Sequence, residues 1–288
     1  MEIYDIGLTW EGRPIKAVHI TNREIDVEKP PVLYTAQTHA REVISAEVGL
    51  GLIHKLVEDY EGDSYIRDLV DYRDIWIVPC VNPDGSMIVA REVAETGDSA
   101  WRKNARDNDG DGVVGYGDGV DLNRNYPVGF GIGASQDPHS QIYSGPEPFS
   151  EPETEAIRDL AEKIKPVVSA HLHSFSGLIL FPYGYTEEKA RDHEIMEKIA
   201  INMRERQPYE KYTVKKSSDL YVCGGAEDDY LYETYGTFAF TMEVGFGYYG
   251  PGIFRMFNPP EDKIQYHVEN NLPALMYLAE IADNPEQL

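Results

Sequence analysis

Five short apolar runs, at residues 15–21, 32–37, 75–81, 167–171 and 238–244, alternate along this chain with stretches of helical periodicity. Runs of that length suit buried strands, and their alternation with helices predicts an α/β sheet with helices packed against it. Residues 43–57, 187–206 and 260–282 read as helices, the last bent at Pro273. Another helix is expected to open at Ser150, because Ser150 and Glu153 form a capping-box pattern and Pro152 suits a first turn. Its apolar stripe runs through Ala156, Ile157, Leu160, Ala161 and Ile164, and Pro166 ends it. With no internal repeat and no Pro/Gly/Ser-rich linker, residues 1–288 are expected to form a single domain. Residues 96–145 stand apart as an irregular insertion rich in Gly, Asp and Asn, a kind of segment usually kept for function or for metal.

The charge balance narrows the partners. With 26 Lys and Arg against 50 Asp and Glu, the formal charge of -24 repels phosphate backbones and anionic lipid, so neither nucleic acid nor membrane is an expected partner. No apolar run is long enough to span a bilayer, and the opening MEIYDIGLTWEGRPIK lacks the basic-then-apolar pattern of a signal peptide. Two cysteines, Cys80 and Cys223, give no disulfide framework and are expected as buried free thiols.

Three places along the chain carry chemistry. In Thr38-His39-Ala40-Arg41-Glu42, an imidazole and a carboxylate three residues apart follow a strand and can face one ion. Nitrogen and oxygen donors suit zinc, and a catalytic zinc needs a third protein ligand plus an open position. His171-Leu172-His173 ends another strand with two imidazoles on one face; spacing alone does not choose between them. The strand 238–243 alternates large apolar side chains with Ala239, Thr241 and Glu243, and a carboxylate at such a strand end can act as a general base.

These segments belong to a longer ordered set: HAREVIS, VNPDG, WRKN, DLNRNYP, HLHSFSG, FPYGYT, LYVCGG and FTMEVG. In that order they resemble the carboxypeptidase A/B family of zinc peptidases, from about Tyr4 to the last helix, which leaves no room for an N-terminal pro-domain. The resemblance implies a mixed twisted central sheet and one catalytic zinc on His39, Glu42 and His173. It implies Glu243 as general base and Arg102 as the group that stabilises the oxyanion. It also implies that Asn123 and Arg124 clamp the free carboxylate of a peptide C-terminus, and that Asp121 orients the first histidine ligand. Tyr221 would close over substrate, and Arg41 would lie along the cleft. The expected activity is release of single C-terminal residues from peptides, by a monomer.

Two departures bear on subsites: Phe175 stands where many members have tyrosine, and His171 replaces an often small residue. Specificity is expected from the acidic segment 226–229. Counting back from Glu243 selects Asp228, counting forward from Gly224-Gly225 selects Glu227, and either implies preference for Lys or Arg, or a mixed one. Two rival readings are an amidohydrolase of the same fold acting on non-peptide amides, and an inactive relative that only captures C-termini. The presence of all five of His39, Glu42, His173, Arg102 and Glu243 argues against the second. Separately, Asp107, Asp109, Asp111 and Asp118, with Gly110 and Gly112 between, resemble the calcium loop of EF-hands and imply a structural calcium.

Overall fold

The computed structural model describes residues 1–287. In chain order its elements are β1 (Glu2–Leu8), β2 (Pro14–Ile20), β3 (Pro31–Ala36), α1 (Val43–Glu58), α2 (Ser64–Tyr72), β4 (Asp74–Val78), α3 (Pro83–Thr96), α4 (Pro152–Ile164), β5 (Val168–His173), β6 (Leu178–Phe181), α5 (His193–Arg206), β7 (Thr213–Lys216), α6 (Glu227–Tyr235), β8 (Phe238–Glu243), α7 (Phe254–Phe257) and α8 (Glu261–Glu280). All eight strands join one sheet in the order β1-β2-β4-β3-β5-β8-β6-β7. The four central strands run parallel, β2 is antiparallel to both its neighbours, and β6 is antiparallel to β8, so the sheet is mixed.

Central strands are buried on both faces, as a parallel sheet covered by helices requires. Val32, Tyr34 and Ala36 of β3, with Val168, Ala170 and Leu172 of β5, pack under α1, α5 and α8. Leu33 and Ala239 point the other way, into a second layer with Ile157 and Leu160 of α4 and Tyr230 and Leu231 of α6. Alternation therefore sends Ser169, His171 and His173 to that second face, and all three are buried.

Each of the five expected strands is present, with ends shifted by at most three residues. β1 escaped notice because it is a half-exposed edge strand, and β6 and β7 because each has only four residues. α3 opens on Pro83-Asp84-Gly85, which reads as a turn; Asn82 caps it by accepting from the Gly85 amide. α8 runs through Pro273 without interruption. Residues 96–145 hold one turn of 3-10 helix, Leu122–Arg124, and an isolated bridge between Ser135 and Tyr143. Both cysteines are free, but each is partly exposed rather than buried. No helix among the described residues is long and apolar enough to cross a membrane.

The capping box at Ser150 and Glu153 does not form. Glu151 is the N-cap of α4 and makes no side-chain cap bond, while Ser150 Oγ donates to Glu151 Oε1. Glu153 is drawn inward instead, where its Oε2 accepts from Asn104 and its Oε1 has no partner. Burial, with Glu151 and Asp84 nearby, pushes the Glu153 carboxyl up to about 8. The native state therefore keeps a proton there that the unfolded chain releases above its ordinary value of 4.5, so stability falls as pH rises from there to about 8. Glu153→Gln is expected to melt within a degree or two of the parent at pH 5 and about 5 °C above it at pH 9. Equal melting temperatures of the two proteins at pH 9 would refute this account.

Candidate active site

β3, β5 and β8 are adjacent parallel strands that end together, and their carboxyl edge is where open α/β sheets gather functional groups. The loop after β3 carries His39, and Glu42 follows as the N-cap of α1. Its carboxylate makes no cap bond and turns to the imidazoles instead. His39 Nδ1 lies 2.8 Å from Glu42 Oε1, His173 Nδ1 lies 3.0 Å from Glu42 Oε2, and the two Nδ1 atoms are 3.1 Å apart. Burial opposes charge on Glu42, but His39 and His173 outweigh it and hold its carboxyl far below the usual range.

On its other side, the His39 ring places Nε2 3.2 Å from Asp121 Oδ1. An Nε2–H donated to that carboxylate leaves Nδ1 bare, facing the other two groups. Two ring nitrogens this close, with a carboxylate spanning them, set three potential ligand atoms around one point. The ligand atoms of His39, Glu42 and His173 all lie within 4.8 Å of one another, and a set of two nitrogens and one carboxylate fits zinc with a position left open. His171 is not in this group; two residues back along the same strand face it pairs with Glu227, so geometry separates the two histidines that spacing could not.

Asp121 is fully buried and serves three neighbours at once: the His39 ring, the Asn123 amide at 3.1 Å, and Arg102, whose Nε and Nη2 donate at 3.0 and 2.8 Å. Burial works against its charge, yet Arg102, His39 and Arg124 hold its carboxyl well below the usual range. The Arg102 guanidinium reaches to 3.9 Å from Glu42 Oε1, at the rim of the metal-ligand group.

Glu243 ends β8 as the register partner of His173, so the two share a face and a strand edge. Burial and the charge of Glu42 push its carboxyl up to about 8. Beside it opens a pocket lined by Asn123, Arg124, Tyr221, Asp228 and Thr241. Arg124 is buried; its Nη2 approaches the Tyr221 hydroxyl at 3.4 Å and its Nε has no partner, leaving donor capacity toward the pocket. Arg41 does not line this pocket: it donates to the Ala100 carbonyl and stacks 4.3 Å over the Phe257 ring. The Phe175 ring packs edge-on against Tyr248 and Phe257.

The three consecutive acids of α6 part company. Asp228 faces the pocket and accepts from Thr241 Oγ1 at 3.1 Å and Ser217 Oγ at 3.3 Å. Glu227 turns to His171, and Asp229 accepts from the Gly184 and Tyr185 amides. Sequence reasoning overlooked the two hydroxyls beside Asp228; the strand period that put Glu243 on the open face also puts Thr241 there.

In the acidic loop, Asp107, Asp109 and Asp118 bring ligand atoms within 4.8 Å of one another. Asp111 falls outside that group; its carboxylate accepts from the Val113 amide two residues on.

Comparison with known proteins adds an independent line. A family model described as zinc carboxypeptidase matches residues 1–274. Mouse carboxypeptidase A4 is 33% identical over 254 residues, covering 85% of this chain and 58% of that protein. Bovine carboxypeptidase O is 32% identical over 279 residues, covering 94% of this chain and 70% of that one. The crystal structure of a carboxypeptidase A from Helicoverpa armigera superposes with a TM-score of 0.86 at 28% identity, over 98% of this chain and 68% of the other. The chain thus spans between about half and three-quarters of the length of these relatives.

Proposed function

The chain belongs to the zinc carboxypeptidase family, and from that premise we propose that it hydrolyses the last peptide bond of a polypeptide to release one C-terminal residue. The observation that carries the reading is the convergence of His39, Glu42 and His173 beside Glu243 and Arg102. When bound by those three ligands, zinc supplies Lewis acidity toward water and the scissile carbonyl.

The chain's own residues do the rest. Glu243 takes a proton from the attacking water and passes it to the leaving nitrogen, a transfer that needs a carboxylate with raised basicity. Arg102, fixed by two bonds to Asp121, donates to the oxyanion as it forms. Arg124 and Asn123 bind the substrate's terminal carboxylate, which sets the register at one residue from the end. The Asn123 Oδ1 already accepts from the Glu227 amide at 3.0 Å, so its NH2 group is the one that faces substrate. Tyr221, half exposed over the Arg124 guanidinium, covers the bound residue and excludes water.

Specificity follows from Asp228, whose carboxylate accepts from two hydroxyls and the Asp229 amide and, among the described residues, forms no ion pair. A substrate Lys or Arg would supply that missing cation. Asp228→Asn is expected to lower kcat/KM for a blocked dipeptide ending in Arg by roughly 100-fold and to change a Phe-ended one by less than about threefold. A panel of blocked dipeptides, assayed with and without a zinc chelator, tests reaction, metal and preference together. Activity that survives chelation removes the zinc reading, and a parent enzyme that favours Phe over Arg tenfold removes the basic one.

The acidic loop is read the same way, as a calcium site on Asp107, Asp109 and Asp118 that orders the loop between Arg102 and Asn123. A melting temperature identical in excess calcium and in chelator would remove it.

A further inference from the structure

A buried pair that no step of the proposed reaction uses lies two residues down the strands from the metal group. His171 Nδ1 is 3.0 Å from Glu227 Oε1, and each side chain is 1% exposed. Thr35 Oγ1 touches both partners, at 2.9 Å from the imidazole and 3.1 Å from the carboxylate, and Ser169 Oγ meets the other ring nitrogen at 3.1 Å. Every polar atom of the pair is thereby accounted for, as expected of groups this expensive to bury unpaired.

The place of the pair in the sheet matters more than its strength. Thr35, His171 and Thr241 are register partners on β3, β5 and β8, forming a row directly beneath the His173 and Glu243 row on the same face. All three members of the lower row bond to the first turn of α6: Thr35 and His171 to Glu227, Thr241 to Asp228. From that turn the Glu227 amide fixes Asn123, and the Asp228 carboxylate enters the pocket. The sheet thus holds the carboxylate clamp and the pocket acid through a single helical turn.

We infer that His171 and Glu227 are positioning residues for substrate recognition: their pair seats the first turn of α6 so that Asn123 and Asp228 present correct donors and acceptors to the C-terminal residue. This rests on the carboxypeptidase reading above. Neither residue lines the pocket, so loosening the pair misplaces binding groups while Glu243, Arg102 and the metal ligands keep their own supports. The effect belongs in KM. It also belongs in discrimination, because the clamp serves every substrate and Asp228 only basic ones.

The test is steady-state kinetics on Arg-ended and Phe-ended dipeptides for the zinc-loaded parent, His171→Ser, His171→Gln and the His171→Ser/Glu227→Ser double variant, each with zinc content measured. For H171S, KM is expected to rise roughly tenfold for both substrates with kcat within about threefold, and the Arg-over-Phe preference to shrink. H171Q, which keeps a donor toward Glu227, is expected to recover most of the loss, and the double variant to be milder than H171S because no buried carboxylate is left unpaired. Should H171S fail to fold, H171Q and the double variant carry the same comparison. Lower melting temperatures with KM and preference unchanged at full zinc content would overturn the inference, since the pair would then serve only the fold. A parent inactive on every peptide would overturn the carboxypeptidase reading itself, and the pair's role with it.

Discussion

Glu243→Gln is expected to lower kcat by roughly 10²–10⁴-fold on any C-terminal substrate while zinc content stays at that of the parent. The substitution keeps the size and hydrogen-bonding shape of the side chain at the end of β8 but removes its ability to accept and return a proton. Glu243 is not among the three converging ligand groups, so the metal should not depend on it. KM should stay within a few-fold, because pocket and clamp are untouched. Retention of more than a tenth of the parent's kcat would rule Glu243 out as the base. Loss of zinc in the variant would instead make it a fourth metal-binding group.

The second large effect concerns Arg124. Arg124→Ala is expected to reduce kcat/KM by about 10²–10³-fold on peptides with a free C-terminus, which is the cost of leaving a substrate carboxylate in a dry pocket without its partner. The more telling comparison uses the same peptides with an amidated end. The parent should reject them, and the variant should no longer distinguish amide from acid, because the group that reads the negative charge is gone. A variant that still prefers the free acid by tenfold or more would place the clamp elsewhere.

How far the sequence could be read differs from one element to another for physical reasons. Central strands β3, β5 and β8 announce themselves because both faces are buried and an unbroken apolar set (Val32, Tyr34 and Ala36; Val168, Ala170 and Leu172; Phe238, Phe240 and Met242) runs along one face of each. β1 does not, because half of it faces solvent, and α6 does not, because it opens on three acids in a row. Those acids look alike on the page and differ only in what the fold sets opposite them: an imidazole for Glu227, hydroxyls for Asp228, backbone amides for Asp229. The one-residue doubt between Glu227 and Asp228 could therefore be answered only in three dimensions. The choice of His173 over His171 was available from resemblance alone, since two imidazoles on one strand face are equivalent until their partners are known. Glu153 shows the opposite failure: a correct local pattern for a helix cap was overruled by Asn104, a residue 49 positions away.

One carboxylate ties these roles together. Asp121 grips the His39 ring, the Arg102 guanidinium proposed to meet the oxyanion, and the backbone of Asn123, a residue of the proposed clamp. If the proposed roles hold, metal retention, turnover and end-recognition share this support, and double-mutant cycles between any two of them are expected to show strong non-additivity. A directed search for altered specificity would do well to leave this position fixed and vary the pocket wall, where changes stay local.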